Sequence, residues 1–262
     1  MNLQHNTILI TGGTSGIGLA LAETLSAQDN HIIVLGRNAD KLAAVKAAHP
    51  SFDTVQADVS DLASLTEPLT KVRQQFPALN IVINSAGTMS RFSLFDDTID
   101  PQTMVKDIQI NLLGTMAVDK LLLPQLVAQT EALIINVSSG LANLTTPVHP
   151  AYSASKAGVH MFTDALREQL RFAGHDNVHV MELVPPLVAE TNLEDSVSTD
   201  APNNMKLTDL VAEAISGMTT NEIRVNAGYA AELQKLAMTD PDTAEHQMAK
   251  GMLANAFPEG LK

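Results

Sequence analysis

The residues best suited to chemistry are a tyrosine and a lysine four positions apart, in the run Tyr152-Ser153-Ala154-Ser155-Lys156. If Pro150 lies in the first turn of a helix, Tyr152 and Lys156 share one face of it. An ammonium beside a phenol stabilises the phenolate, which is expected to lower the phenol pKa from about 10. A tyrosine tuned in this way can donate or accept a proton near neutral pH, and reduction of a carbonyl by hydride needs that proton at the oxygen. Tyr152 is therefore the candidate acid/base. Ser138 and Ser139 follow the apolar run 133–137, at the carboxyl edge of a strand where open α/β sheets bind ligands. Side chains alternate along a strand, so one serine points at the site and the other away. The alternation does not choose between them.

A second chemical signal lies near the start. The apolar run 7–10 leads into Thr11-Gly12-Gly13-Thr14-Ser15-Gly16-Ile17-Gly18, with a helix expected to begin near Ile17. A strand, a glycine-rich turn and a helix let the backbone approach a pyrophosphate, which the helix N-terminus then meets with N–H donors and partial positive charge. The next strand ends Val34-Leu35-Gly36-Arg37-Asn38, with no carboxylate before Asp40. An acidic residue there would take a ribose 2′-hydroxyl, whereas an Arg accommodates a 2′-phosphate, so Arg37 favours NADP over NAD. Asn111, in the helical pattern of Met104, Ile108, Leu112 and Thr115, reads either as a satisfied core amide or as part of a water-mediated proton path near Lys156.

The elements that must position these residues alternate regularly. Strands are expected at 7–10, 31–35, 53–57, 79–83, 132–137 and 178–184, most of them near-continuous apolar runs of the kind covered on both faces. Between them, apolar residues recur at helical spacing, as in Leu19, Ala22 and Leu25. The rhythm predicts a single α/β domain over residues 1–262 with a Rossmann-like, doubly wound parallel sheet. A polar stretch, 187–205, reads as a substrate loop or a plain surface loop. Beyond it are expected a helix at 207–219, a strand at 222–225 and an extended helical C-terminus over 228–262.

Composition excludes several functions. With 29 acidic and 16 basic side chains the net charge is −13, and no Lys/Arg cluster offers a nucleic-acid footprint. Cysteine is absent, which excludes a disulfide scaffold, a zinc-thiolate site and a thiol nucleophile. His175 and His179 lack an acidic third ligand, so no metal site is expected. Asp96-Asp97 and Asp240-x-Asp242 read as caps or turns. The polar start and the lack of a long apolar run predict a cytoplasmic protein that does not engage a membrane.

Taken in order, Thr11–Gly18, Asp58-Val59, Asn84-Ser85-Ala86-Gly87, Asn111, Ser139 and Tyr152-x3-Lys156 resemble the single-domain short-chain dehydrogenase/reductase family, over about residues 7–190. The resemblance implies a catalytic tetrad of Asn111, Ser139, Tyr152 and Lys156, and the family's serine lies thirteen residues before its tyrosine, which selects Ser139. It implies NAD(P)(H), bound by Gly12, Thr14, Ser15, Gly16, Ile17, Gly18 and Arg37; with Arg37 read as above, NADP(H) is the preferred form and NAD(H) is possible. Asp58 and Val59 would meet the adenine, and Asn84, Ala86 and Gly87 the nicotinamide ribose, which Tyr152 and Lys156 would also bind. After the strand ending at Val184, Pro185-Pro186-Leu187-Val188-Ala189-Glu190-Thr191 departs from the family's usual Pro-Gly. Pro185, Val188 and Thr191 are the expected carboxamide contacts there. The double proline together with Asn136–Gly140 is similar to the subgroup named after the Dlt-operon oxidoreductase.

The expected substrate is a small carbonyl or alcohol, in a pocket of Met89, Phe92, Leu141, Leu144, Leu187 and Leu193, with His149 either lining it or on a surface loop. A homodimer or homotetramer is expected, with a dimer formed by the helices around Asn111 and after Tyr152. Two alternatives are an NAD-dependent alcohol dehydrogenase of the same fold and a dinucleotide sensor without turnover. The sensor would need none of Ser139, Tyr152 and Lys156.

Overall fold

A computed structural model describes residues 1–191, 193, 199–201 and 203–261. Seven strands form one sheet in the order β3-β2-β1-β4-β5-β6-β7. They are β1 (Thr7–Thr11), β2 (His31–Gly36), β3 (Asp53–Gln56), β4 (Leu79–Asn84), β5 (Ala132–Val137), β6 (Val178–Val184) and β7 (Arg224–Asn226). Every pairing is parallel. Parallel neighbours require crossovers, and the helices that supply them cover both faces.

The period-2 alternation shows how the strands divide between the layers. Ile8 and Ile10 pack with α1 (Gly16–Ser26), α2 (Ala39–Ala48) and α7 (Leu207–Thr220), through Leu21, Leu42 and Leu210 among others. Leu9, between them, faces α3 (Leu62–Gln75), α5 (Gly114–Leu126) and α6 (Pro150–Phe172), through Leu65, Val118 and Leu166. The chain reverses its direction of winding at β1, which lies between β2 and β4, and a ligand crevice is expected outside the strand ends at that point.

Two local features differ from the sequence pattern, while the C-terminus keeps to it. The apolar periodicity around Asn111 predicts continuous helix, but α4 (Pro101–Asp107) is joined to α5 by a π-helical turn, Ile108–Leu113, that holds Asn111. The last strand begins at Arg224 rather than 222, because Asn221 adopts a left-handed conformation (φ 57°) that ends α7 and turns the chain. The extended C-terminus forms two helices, α8 (Tyr229–Thr239) and α9 (Pro241–Ala256), which pack on the sheet's carboxyl end through Leu233, Ala244 and Leu144.

Candidate active site

A cleft of about 860 Å³ runs across the carboxyl ends of the strands. Its floor at one end is the glycine turn between β1 and α1. Gly12 has φ +66°, and a Cβ there would stand 2.7 Å from the Ala86 Cα, so only glycine lets the β1 and β4 turns approach this closely. Thr11 secures the contact, its Oγ1 accepting from the N–H groups of Ser85 and Ala86 at 3.1 Å. The N-terminus of α1 carries no side-chain cap and no acidic residue in its first turn. Its backbone donors thus remain available to an anion. A glycine cradle ending on an uncapped helix fits the diphosphate of a dinucleotide.

Of the residues singled out for a dinucleotide, Gly12, Thr14, Ser15, Gly16, Ile17, Arg37, Asp58, Val59, Ala86, Gly87, Pro185, Val188 and Thr191 all line the cleft. Gly18 does not: it lies against the Gly12 carbonyl, 2.7 Å from where its Cβ would be, and serves the packing of turn on helix. Asn84 does not either. Its Nδ2 donates to Asp119 Oδ1 at 2.6 Å and to Asn136 Oδ1 at 2.9 Å, so its amide ties β4 to α5 and β5 from below. Asp58 accepts from the Ser60 N–H and hydroxyl, and its other oxygen lies 3.9 Å from the exposed Arg37 guanidinium. Thr191 reaches the glycine turn, 3.3 Å from a Cβ placed on Gly16.

The chemical end of the cleft lies where β5 meets α6. Pro150 occupies the first turn of α6, and Tyr152 and Lys156 both line the cleft from one face of that helix. Lys156 Nζ donates to the Val137 carbonyl at 2.7 Å and lies 5.7 Å from the Tyr152 ring centroid. Ser139 lies on the same stretch of cleft wall and favours the Tyr152 phenolate. Ser138 points the other way and donates to the buried Glu182 carboxylate. The strand alternation is thereby resolved, with Ser139 on the cleft side.

The titration of the pair differs from the sequence expectation. Burial pushes the Tyr152 phenol up to about 12, against a smaller downward pull from the Ser139 hydrogen bond. Burial likewise pushes Lys156 down to about 8, although Asp107 and Glu182 favour its ammonium. The shift therefore runs opposite to the lowering expected from the ammonium: desolvation of a buried phenol outweighs the pull toward the phenolate.

Asn111 lies behind this pair rather than in the cleft. Its Nδ2 donates to the Thr88 carbonyl at 2.9 Å and to Ser155 Oγ at 2.8 Å, and its Oδ1 accepts from the Thr88 N–H at 2.9 Å. The amide is fully satisfied and fixes the Gly87–Thr88 turn against α6. Of the expected pocket residues, Met89, Leu141, Leu187, Leu193 and His149 line the cleft, whereas Phe92 and Leu144 are buried in the core. Residues 192, 194–198 and 202 of the expected substrate loop lie outside the described residues.

The profile of the family described as short chain dehydrogenase matches residues 6–202 of this chain. The chain belongs to that family. DltE of Bacillus subtilis strain 168, an uncharacterized oxidoreductase, is 36% identical over 188 residues, 72% of this chain and 73% of DltE. Two crystal structures of short-chain dehydrogenases share the fold. One, from Burkholderia cenocepacia in complex with NADP, has a TM-score of 0.79 at 21% identity, covering 95% of this chain and 99% of that one. The other, from Burkholderia phymatum in complex with NAD, has a TM-score of 0.76 at 20% identity, covering 89% and 93%.

Sequence reasoning missed one wall of this dehydrogenase's cleft and the support beneath it. Tyr229 and Leu233 of α8, and Met248 and Met252 of α9, close the cleft on the side away from the glycine turn. Their helical spacing marks an apolar face, but nothing in the spacing says which surface it covers. Asp107, Asp119 and Glu182 are buried carboxylates near the site. The signal available was Glu182 itself, a charge in the middle of the apolar run of β6.

Proposed function

We propose that this oxidoreductase prefers NADP(H) and reduces a carbonyl to a secondary alcohol, with Tyr152 as the acid. The observation that carries the reading is that Ser139, Tyr152 and Lys156 line one end of the cleft together, with Tyr152 kept protonated by burial. A nicotinamide dinucleotide, when bound, supplies the hydride. Ser139 donates to the carbonyl oxygen and orients it, and the Tyr152 hydroxyl delivers its proton to the same oxygen as the alcohol forms. Lys156, anchored on β5, supplies positive charge that eases the departure of that proton. Asn111 holds the Gly87–Thr88 turn and the start of α6 in fixed relation. A neutral phenol is the form that reduction consumes; oxidation would need the phenolate, which burial disfavours.

The cofactor preference rests on Arg37, an exposed guanidinium on the cleft at the end of β2, with Asn38 and Lys41 beside it. That arrangement suits a 2′-phosphate, and related folds carry either NADP or NAD. The substrate side is apolar, between Met89, Leu141, Leu187, Leu233 and Met252, and suits a hydrophobic ketone or aldehyde. Exposed Leu113 and Met116 beside α5, with Met161 and Phe172 on α6, suit a homodimer formed by these two helices. Titrating the purified protein with NADPH and NADH by nicotinamide fluorescence tests the cofactor reading. Tighter NADPH binding supports it, and equal or tighter NADH binding would favour the NAD-dependent alternative.

A further inference from the structure

One polar residue from each of four adjacent strands forms a row directly below the site. Asn84 is in register with Asn136, Asn136 with Glu182, and Glu182 with Arg224. Glu182 is wholly buried between Met181 and Leu183, where the rest of β6 is nearly all apolar. It accepts from the Ser138 hydroxyl, from His160 at 2.9 Å and from Arg224 Nε at 2.6 Å. Arg224 also binds Asp164 at 2.8 Å, and Arg167 meets the same carboxylate at 2.6 Å. Lys156, His160 and Asp164 recur every four residues, so this ladder continues along α6 from the face that carries Tyr152.

We infer that Glu182 is a positioning residue for the reaction proposed above: through Ser138 it fixes the end of β5 that anchors Lys156 and leads into Ser139, and its carboxylate stands as a counter-charge to the Lys156 ammonium. The geometry joins the two tasks. Ser138 lies between Val137, whose carbonyl holds Lys156, and Ser139, which meets Tyr152. The charged or titratable groups facing Lys156 are Tyr152 on its own helix, Asp107 at the end of α4 and Glu182 on β6. Those facing Glu182 are His160 on α6 and Arg224 on β7, with Asp164 and Arg167 behind them. A buried carboxylate with several partners is weak evidence for stability alone, since an apolar residue would pack there at no desolvation cost.

The experiment is competitive acetylation of the full-length protein across pH 6–10, reading the modification of Lys156 by mass spectrometry. In Glu182→Gln one of the two anions favouring the ammonium is gone, so the Lys156 midpoint should fall by about one unit. In Arg224→Gln a donor to Glu182 is kept while a competing cation is removed, so the midpoint should rise. A purely structural role predicts no movement, or movement in the same direction in both variants, and either result would overturn the inference. If Glu182→Gln fails to fold, a Lys156 midpoint in Arg224→Gln that does not rise is enough to reject it. The readout needs no substrate, so a wild-type protein that reduces no carbonyl would defeat the proposed reaction and leave this test intact.

Discussion

Lys156 donates to the carbonyl of Val137, the last residue of β5, two positions before Ser139. One hydrogen bond therefore joins the helix that carries Tyr152 to the strand end that leads into Ser139. It also explains why burial of the lysine is tolerated: the ammonium has a fixed acceptor, with Asp107 and Glu182 as counter-charges.

That placement sets a pH dependence. Lys156 is pushed down to about 8 and Tyr152 up to about 12. Below pH 8 both carry their protons, and the reduction rate should be flat on that side as far as these two groups decide it. As pH rises through about 8 the ammonium is lost first, so kcat should fall while Tyr152 is still protonated. A kcat profile against pH checks this; a basic limb near 12, or none, would contradict it.

Arg37→Ala should weaken NADPH binding by about tenfold while leaving NADH nearly unchanged, since the proposed contact is a charge-assisted hydrogen bond to the 2′-phosphate. The low end of the usual range applies because Arg37 is largely exposed. Equal losses for both cofactors would show that the guanidinium does not read the phosphate.

Asp119 is a buried acid whose pKa is pushed up to about 7 by desolvation, against the hydrogen bonds from Asn136 and Asn84. Its folded pKa is raised, so between pH 3.8 and about 7 the native state holds a proton that the unfolded chain has lost. Stability contributed by this group therefore falls as pH rises through that window, by on the order of 4 kcal/mol in full. Asp119→Asn should gain stability relative to wild type between pH 4 and pH 8, measured by denaturant unfolding at each pH. A pH-independent difference would show that the carboxyl does not titrate there.

Met248→Trp should narrow the substrate side of the cleft, raising KM for bulky ketones severalfold while the NADPH Kd stays the same. An unchanged KM across ketones of increasing size would remove α9 from the substrate wall.

How far the sequence could be read follows from the range of each interaction. The strands were legible because doubly covered strands are apolar throughout, and β5 and β6 have the boundaries the pattern predicts. The Tyr152–Lys156 relationship was legible because both lie on one helix. Ser139 could be separated from Ser138 only by resemblance; in the structure the difference comes from Glu182, 44 residues away from Ser138. Asn84 read as a cofactor contact because the sequence shows the turn but not Asp119 and Asn136 beneath it. The direction of the Tyr152 shift was missed for a similar reason, since spacing reports a neighbouring charge and not the desolvation that outweighs it.

In the proposed reduction Tyr152 supplies the proton to the carbonyl oxygen. The most direct test of this role is NADPH oxidation by wild type and Tyr152→Phe at pH 7 with a series of apolar ketones, alongside NADPH binding to both. kcat is expected to be lower by about 10²–10⁴-fold in the variant, with NADPH affinity nearly intact. Turnover of the same ketones at the wild-type rate by the phenylalanine variant would contradict it.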